Sequence, residues 1–208
     1  MTVLVTIGPT QEPLDAMRLI SNRSTGELGT ELSLALATAG HEVIALRATG
    51  STADPARLLE ICCNVIPFTT TEDLRMNMEK LSGEKQIDAV YHAAAVSDFY
   101  YPEAGHGKIP TKQGALILTL EPTPKLLPKI RVWFPSATIT GWKFEASGNR
   151  EDALASGRAQ IDTCHTNACV VNGPSYGDGF GVISKSGEFT HLPDRQTLCA
   201  FLAERLSS

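Results

Sequence analysis

The chain has 208 residues, of which 42% are hydrophobic and 20% are charged, and its formal net charge is −5. This length and apolar content predict a single domain over residues 1–208 with a hydrophobic core of ordinary size. The negative charge without a basic run argues against a nucleic-acid partner, and the absence of an apolar run of about 18 residues argues against a membrane partner.

The first half of the chain alternates predicted strands with predicted helices. Residues 3–7 are apolar and largely β-branched, which is typical of a buried strand. A helix with apolar residues three or four positions apart follows Gly26, and Thr71 is the predicted cap of a helix that reaches Leu81. Further strands are predicted over residues 41–46, 64–68 and 89–93.

The second half continues this alternation and ends in a hairpin. Residues 99–114 are rich in Tyr, Pro, Gly and Lys and are too long for an ordinary connection, so they predict a lid or a dimer arm. Strands are predicted over residues 116–120, 137–142 and 168–172, helices over residues 124–133, 151–161 and 194–206, and a hairpin over residues 182–190. This order predicts a three-layer, Rossmann-like α/β fold, in which a mostly parallel sheet carries helices on both faces.

Small and polar residues follow several predicted strands, at the edge where open α/β sheets bind ligands. Ser24, Thr25 and Gly26 open the first predicted helix, and the free backbone N–H groups of a helix N-terminus suit a phosphate. Other candidates at this edge also have structural interpretations. Gly8 would permit a turn, Asp98 and Asn172 would form turns, and Trp142 would fill the core.

The lysines are open to two interpretations as well. Lys143 and Glu145 would form either part of a ligand cleft or a solvated ion pair of small energetic value. Lys108 and Lys112 lie in the predicted lid, where a lysine could neutralise charge on a transferring phosphate. The alternative is that both lysines are simply solvated in a surface loop.

The sequence lacks the motifs of several common sites. No G-x-G-x-x-G follows the first strand, and Arg47 and Ala48 stand at the end of the second strand, where a dinucleotide-binding half would carry an acidic residue. No Walker A, HExxH, CxxC or GxSxG motif occurs. The five cysteines have no metal-type spacing and indicate free thiols in a cytoplasmic protein without a signal peptide.

Three segments at the predicted ligand edge carry a recognisable pattern: residues 8–15 (GPTQEPLD), 21–29 (SNRSTGELG) and 93–99 (AAAVSDF). Residues 108–110, 122–127, 141–145 and 170–172 continue it in the same order. Together they resemble the phosphopantothenate–cysteine ligase family, of the stand-alone type, over nearly the whole chain. The resemblance implies an enzyme of coenzyme A biosynthesis that joins 4′-phosphopantothenate to L-cysteine through an acyl-nucleotidylate and releases pyrophosphate.

The resemblance also implies roles for individual residues. Asn22 would orient the acyl-nucleotidylate, and Lys108 in the lid would assist nucleotidyl transfer. The nucleotide-binding residues would be Gly8, Ser24, Gly26, Gly29, Trp142, Lys143 and Asn172, and the phosphopantothenate-binding residues would be Asn22, Ala94, Ala95 and Asp98. CTP or ATP would be consumed together with Mg²⁺, for which no side-chain ligand is assigned. A homodimer is implied, because in this family a second subunit completes the substrate site.

The chain departs from the family pattern at two places. Pro9 stands where the family commonly has the second Gly of Gly-Gly-Thr, and it fixes φ beside the presumed phosphate site. The lid carries Lys108 and Lys112 in place of a tight lysine cluster, which leaves the active lysine open. The segment 141–145 resembles stand-alone members, which often use ATP, whereas fused bacterial members usually use CTP.

Two other classes of protein stay open on the sequence alone. A flavin- or NAD(P)-binding oxidoreductase could use a similar sheet, although the missing dinucleotide motif counts against it. A non-catalytic relative that binds a nucleotide is the other, and Pro9 with the small number of lid lysines is its support.

Overall fold

The computed structural model of the protein describes residues 1–61, 64–105, 107–110 and 114–207. The strands are β1 (Thr2–Ile7), β2 (Gln11–Pro13), β3 (Leu19–Ser21), β4 (Glu42–Ala48), β5 (Asn64–Phe68), β6 (Ala89–His92), β7 (Phe99–Tyr100), β8 (Glu121–Pro122), β9 (Thr138–Phe144), β10 (Ala168–Asn172), β11 (Phe180–Ser184) and β12 (Phe189–Leu192). The helices are α1 (Glu27–Thr38), α2 (Ala56–Leu59), α3 (Thr71–Glu84), α4 (Leu127–Trp133), α5 (Arg150–Cys164) and α6 (Arg195–Ser207).

Eight strands form a central sheet in the order β12-β11-β10-β9-β6-β1-β4-β5. All neighbours from β5 to β10 are parallel, and β11 and β12 add an antiparallel hairpin at one edge. The strand order therefore reverses between β1 and β6. In a Rossmann-like sheet the carboxyl edge near such a reversal is where ligands bind.

Helices cover both faces of the sheet, as the alternating pattern predicts. On one face α1 and α6 bury Leu32, Leu36 and Leu198 against β1 and β4. On the other face α3 and α4 bury residues such as Met78 and Ile130. Because both faces are covered, the central strands are mostly apolar, and Leu4, Val5 and Val90 are fully buried.

Most of the predicted elements are confirmed, with shifts at their ends. The hairpin pairs Ile183 with Phe189, and Asp194 accepts a hydrogen bond from the Thr197 backbone N–H at the start of α6. The cap of α3 is Thr70 rather than Thr71, because the Thr70 hydroxyl accepts from the Asp73 N–H in a capping box.

The predicted strand over residues 116–120 is wrong. These residues are not in a strand, and the Ile117 side chain is 91% exposed. Strand formation there would need a neighbouring strand, and only the next two residues find one, as β8 pairs with β7. The short antiparallel pair of β2 and β3 and the four-residue helix α2 are features that the hydrophobic pattern does not indicate.

Some expectations concern residues outside the described part of the chain, namely Lys112, Cys62 and Cys63. Cys164, Cys169 and Cys199 are free thiols. In the described ranges no helix has both the length and the apolar character needed to cross a membrane.

Candidate functional site

A cavity of about 1200 Å³ opens at the carboxyl edge of the sheet, beside the N-terminus of α1. Its walls come from the loop before α1, the loop after β6, the start of α4 and the end of β9. Residues 22–29, 92–98, 123–128 and 142–144 form most of the lining, with three residues from α5 and single residues from β10, β11 and α6. Segments that are far apart in the sequence therefore share one concave site, as expected for a small-molecule site.

Most of the residues predicted to form the site lie in this lining. They are Asn22, Ser24, Gly26, Gly29, Ala94, Ala95, Asp98, Trp142, Lys143 and Asn172. The structure thus brings together ten positions that the resemblance assigns to nucleotide or phosphopantothenate binding.

Gly8 and Lys108 are not part of the lining. Gly8 has φ +86°, and a Cβ there would lie 2.9 Å from the Ser51 Cβ, so this glycine serves a turn and a close packing contact. Its carbonyl accepts from the Ala95 N–H at 3.0 Å, and Pro9 forms an isolated bridge with Ala95. Residues 8–10 therefore support the loop after β6 from behind, and Pro9 is buried away from the cavity.

The N-terminus of α1 is shaped for close approach. Gly26 has φ +82° and caps the helix without a side-chain hydrogen bond. The Thr25 hydroxyl accepts from the Glu27 N–H at 3.3 Å, and no other side chain among the described residues accepts from the N–H groups of the first turn. A Cβ on Gly26 would lie 2.1 Å from the Ser51 Oγ, and one on Gly29 would lie 2.9 Å from the Ile7 Cγ1. The two glycines let the helix start tightly against β1 and the loop after β4.

That loop occupies the corner where a dinucleotide-binding fold holds its ribose. At the end of β4 the Arg47 guanidinium donates to the carbonyls of Ser51 (2.9 Å) and Ala53 (2.7 Å). The Ser51 hydroxyl donates to the Thr25 carbonyl at 2.8 Å and fixes the loop on α1. NAD(P) binding needs an acidic residue and open space at this position. Here Arg47 stands in place of the acidic residue, and the loop after β4 fills the space. This argues against the oxidoreductase alternative.

Asn22 joins two walls of the cavity. Its Nδ2 donates to the carbonyls of Ala95 (3.2 Å) and Val96 (3.0 Å). The same loop is held from below, because the Ser97 N–H donates to the Thr10 hydroxyl at 2.8 Å. The Asn22 amide nitrogen is thus occupied by the protein, and its oxygen has no partner among the described residues.

Several charged side chains in the lining of the cavity form ion pairs. Lys125 pairs with Asp98 across the mouth, and Lys143 pairs with Glu145 at 3.4 Å. Arg195, at the start of α6, lies 3.2 Å from Glu31. Surface pairs of this kind contribute little to stability, but their cations are available to an anionic ligand that displaces the carboxylate.

Another group of lining residues carries no charge on its side chains. It is formed by Leu126, Leu127 and Pro128 at the start of α4 and by Gln160, Thr163 and Cys164 of α5. His92 lies beside it, on the strand that pairs with Gly141 of β9. A Cβ on Gly141 would lie 2.7 Å from the Gln160 Nε2 and 3.0 Å from the Leu127 Cδ2, so both residues approach the sheet at this point.

His92 and Trp142, on the neighbouring strands β6 and β9, differ in their surroundings. Burial lowers the pKa of His92 to about 4, so its imidazole is neutral at neutral pH. Trp142 packs edge-on against Tyr91 with a 6.4 Å centroid separation, so the core interpretation is correct for part of its ring. Its other side lines the cavity, and its buried Nε1–H has no partner in the described part of the chain.

The chain offers no dedicated set of metal ligands in its described ranges. Two carboxylates line the cavity, and each has a cationic partner: Asp98 pairs with Lys125, and Glu27 with Arg57 at 3.1 Å. Mg²⁺ in nucleotide-dependent enzymes is bound mainly by the substrate phosphates with one or two carboxylates. The residues present fit a Mg²⁺ ion that enters with a nucleotide.

His92, Gln160 and Arg195 are cavity residues that the sequence analysis did not assign. In the sequence, His92 is simply the last residue of an apolar strand, and only the pairing of that strand in the sheet shows that it lies at the cavity. Gln160 lies on a helix far along the chain, and Arg195 follows a helix cap. No local pattern marks either of them as part of the site.

Comparison with known proteins agrees with this geometry. Residues 1–198 match the model of the DNA/pantothenate metabolism flavoprotein C-terminal domain. The chain belongs to this family. It is 32% identical over 170 residues to the coenzyme A biosynthesis bifunctional protein CoaBC of Thermococcus kodakarensis, covering 82% of this chain and 40% of that protein. It is 30% identical over 196 residues to the human phosphopantothenate–cysteine ligase, covering 69% of this chain and 63% of the human protein.

Solved structures show the same fold. The DNA/pantothenate metabolism flavoprotein from Streptococcus pneumoniae has a TM-score of 0.84 at 22% identity and covers 100% of this chain and 98% of its own. A Cab2 variant in complex with phosphopantothenate-cysteine has a TM-score of 0.79 at 21% identity, covering 99% of this chain and 85% of its own. The chain spans less than half the length of the CoaBC proteins that it matches.

Proposed function

We propose that this chain is a phosphopantothenate–cysteine ligase of coenzyme A biosynthesis. The observation that carries the proposal is the single cavity that gathers Asn22, Ser24, Gly26, Ala94, Ala95 and Asp98. Its chemistry suits three reactants that carry phosphate, carboxylate and ammonium groups. The relatives named above, among them a phosphopantothenate–cysteine ligase, support the same assignment.

The reaction takes place in two steps in this proposal. The carboxylate of 4′-phosphopantothenate attacks the α-phosphorus of CTP or ATP, and pyrophosphate leaves. The cysteine amine then attacks the acyl carbon, forms the amide and releases the nucleoside monophosphate. A carboxylate needs this activation, because without it the acyl carbon has no good leaving group.

Residues of the α1 N-terminus would bind phosphate oxygens in both steps. Ser24 and Gly26 present backbone N–H groups and the positive end of the helix dipole to the cavity. Lys143 and Arg195, which also line the cavity, would supply cations. Mg²⁺ bound to the nucleotide would offset charge on the departing pyrophosphate.

Asn22, Ala94 and Ala95 would hold the acyl group. Because the Asn22 Nδ2 already binds the carbonyls of Ala95 and Val96, this side chain also fixes the loop that contacts the acyl-nucleotidylate. Asp98, at the mouth of the cavity, would bind phosphopantothenate after release from Lys125. Lys108 would assist nucleotidyl transfer from the lid, residues 99–114.

A homodimer is part of the proposal. Several exposed apolar side chains lie in the segment of β2 and β3, in the lid and in the residues that follow it: Met17, Leu19, Phe99, Leu116 and Ile117. Exposed apolar surface is typical of interaction sites, and we expect these residues to contact the second subunit. A cytoplasmic location completes the proposal, since the described cysteines are free thiols.

One assay tests the function directly. Purified protein is incubated with phosphopantothenate, Mg²⁺ and either CTP or ATP, with and without cysteine, and pyrophosphate release is measured. Release that depends on phosphopantothenate supports the ligase, and the faster nucleotide identifies the preferred one. If no pyrophosphate is released with either nucleotide, the ligase assignment is wrong, and the chain is then a non-catalytic relative that binds a nucleotide. Pro9 no longer favours that relative, because it lies outside the cavity.

A further inference from the structure

His92 combines three properties that are unusual for a strand residue of a Rossmann-like sheet. It is buried, it lines the cavity, and its Nδ1 lies 2.9 Å from the Thr6 Oγ1 on the neighbouring strand β1. Its Nε2 has no hydrogen-bond partner among the described residues. Nε2 is not one of the fully buried unpaired atoms, so it opens onto the cavity and is available to pair with a bound ligand.

The neighbours of Thr6 determine which ring nitrogen carries the proton. The Ala94 N–H donates to the Thr6 Oγ1 at 3.1 Å, and Thr6 is fully buried. In the part of the chain that the structure describes, the Thr6 hydroxyl proton has one acceptor within reach, the His92 Nδ1. The hydroxyl therefore donates to Nδ1, and the proton of the neutral imidazole sits on Nε2.

The surroundings of His92 indicate what the Nε2–H would meet. The section next to His92 is formed by Leu127 and Gln160, which approach Gly141, the sheet partner of His92, and neither side chain is charged. Of the three reactants of the proposed ligase, phosphopantothenate has a charge at both ends and cysteine is a zwitterion. The nucleotide alone has an uncharged end, its base, and desolvating a charged end in this section would be costly.

We propose that His92 is a positioning residue that donates a hydrogen bond from Nε2 to a ring nitrogen or carbonyl acceptor of the nucleotide base, with Thr6 holding its tautomer. This inference rests on the proposed ligase function and adds to it a residue that aligns the nucleotide. Because Thr6 also accepts the Ala94 N–H, the same hydroxyl links the base contact to the loop that holds the acyl group.

Nitrogen-15 NMR of the histidine rings tests the tautomer without using activity. We expect a His92 signal with Nε2 protonated and Nδ1 bare, identified by its absence in His92→Gln, and loss of this preference in Thr6→Val. Protonated Nδ1 in the wild type would overturn the inference. Mg²⁺ with CTP or ATP should shift the Nε2–H resonance, whereas phosphopantothenate alone should not. A shift with phosphopantothenate alone would overturn the assignment to the base.

Kinetics provide the second test. His92→Leu removes the donor and should raise the KM for the nucleotide about fivefold, more than it lowers kcat. His92→Gln keeps an N–H donor near the Nε2 position and should recover most of that loss, which a purely structural role would not produce. Equal effects of Leu and Gln, in proteins with the same melting temperature, would contradict the role of His92. Failure of the wild type to bind either nucleotide would contradict the proposed function instead.

Discussion

The two candidate catalytic residues, Asn22 and Lys108, lie in segments that the protein holds in different ways. Asn22 is part of the cavity wall, and its Nδ2 binds two backbone carbonyls of the facing loop. Lys108 lies outside the lining, on a segment held against the β2–β3 pair. There the Ile109 N–H donates to Asp15 at 2.9 Å, and the Ala16 N–H donates to the Gly107 carbonyl at 3.2 Å.

The fold places Asn22 in the cavity wall, whereas it holds Lys108 outside the cavity. Asn22 needs no movement to reach a ligand in this cavity. Lys108 can contact such a ligand only if residues 107–110 leave the β2–β3 pair or if the lysine serves the cavity of a second subunit. The predictions below test each half of this comparison.

Lys108→Ala should have the largest effect. Loss of a cation aimed at transferring phosphate typically lowers the rate by about 100- to 1000-fold, and we expect that loss in phosphopantothenate-dependent pyrophosphate release. Lys112→Ala is the matched control, because it removes the same group from the same predicted lid. If Lys112→Ala proves more damaging than Lys108→Ala, the active lysine is Lys112.

Asn22→Ala should separate the two half-reactions. We expect amide formation with cysteine to fall about 100-fold, while pyrophosphate release in the absence of cysteine stays within about threefold of the wild type. Ser21→Ala is the control. The Ser21 hydroxyl anchors the segment that contains Asn22 by donating to the Thr10 carbonyl, but Ser21 does not line the cavity. Equal losses in both half-reactions would show that Asn22 holds the loop and has no separate role toward the acyl group.

Gly26→Ala should destabilise the wall that carries Asn22. The new Cβ would lie 2.1 Å from the Ser51 Oγ at φ +82°, so it combines backbone strain with loss of the Ser51–Thr25 hydrogen bond. We expect the free energy of unfolding to fall by about 2–3 kcal/mol in chemical denaturation. Gly40→Ala has φ +88° with nothing within 4 Å of its Cβ, and it should cost only the strain, about 1 kcal/mol. Similar losses in the two variants would refute the tight contact with Ser51.

Much of the fold could be predicted from the sequence, because the central strands are buried on both faces. Burial on both faces produces the continuous apolar runs of β1, β4 and β10. The failures fall where long-range pairing decides the structure. Leu116 and Ile117 look like strand residues but have no neighbouring strand in the described part of the chain, and the β2–β3 pair forms because its two short segments meet each other.

The candidate site divides in the same way. Asn22, Gly26 and Asp98 sit in loops at strand ends, where a local pattern and the edge of a parallel sheet place them in the cavity. Gly8 follows the same pattern but turns toward Ser51, because the end of β1 is joined to the loop after β6. The contact between His92 and Thr6 depends on the register between β1 and β6, which pairs these two residues. This register cannot be predicted from the sequence.

Asp15→Asn should produce the smallest effect, because it acts on the segment 107–110 and on the partly exposed ion pair with Arg18 (3.5 Å). The Asp15 Oδ1 accepts from the N–H groups of Met17 and Arg18, both at 2.8 Å, and Oδ2 accepts from the Ile109 N–H. An Asn oxygen would keep the two local bonds, so its NH₂ would face the Ile109 N–H, donor against donor. We expect amide hydrogen exchange at Ile109 to become about tenfold faster, with little change at Arg18.

Asp54→Asn is the matched control for Asp15→Asn, since the exposed Asp54 accepts from the Ala56 N–H and does not touch the lid. The pH dependence has a defined sign. The backbone N–H groups, that of Ile109 first, hold the pKa of Asp15 below its ordinary value of 3.8, so the ionised carboxylate is the form that binds the segment. Protection of Ile109 should therefore persist through neutral and mildly acidic pH and disappear only as the pH falls below the ordinary carboxyl range. Protection lost near pH 6 would contradict the role of the Asp15 carboxylate in holding the segment that carries Lys108.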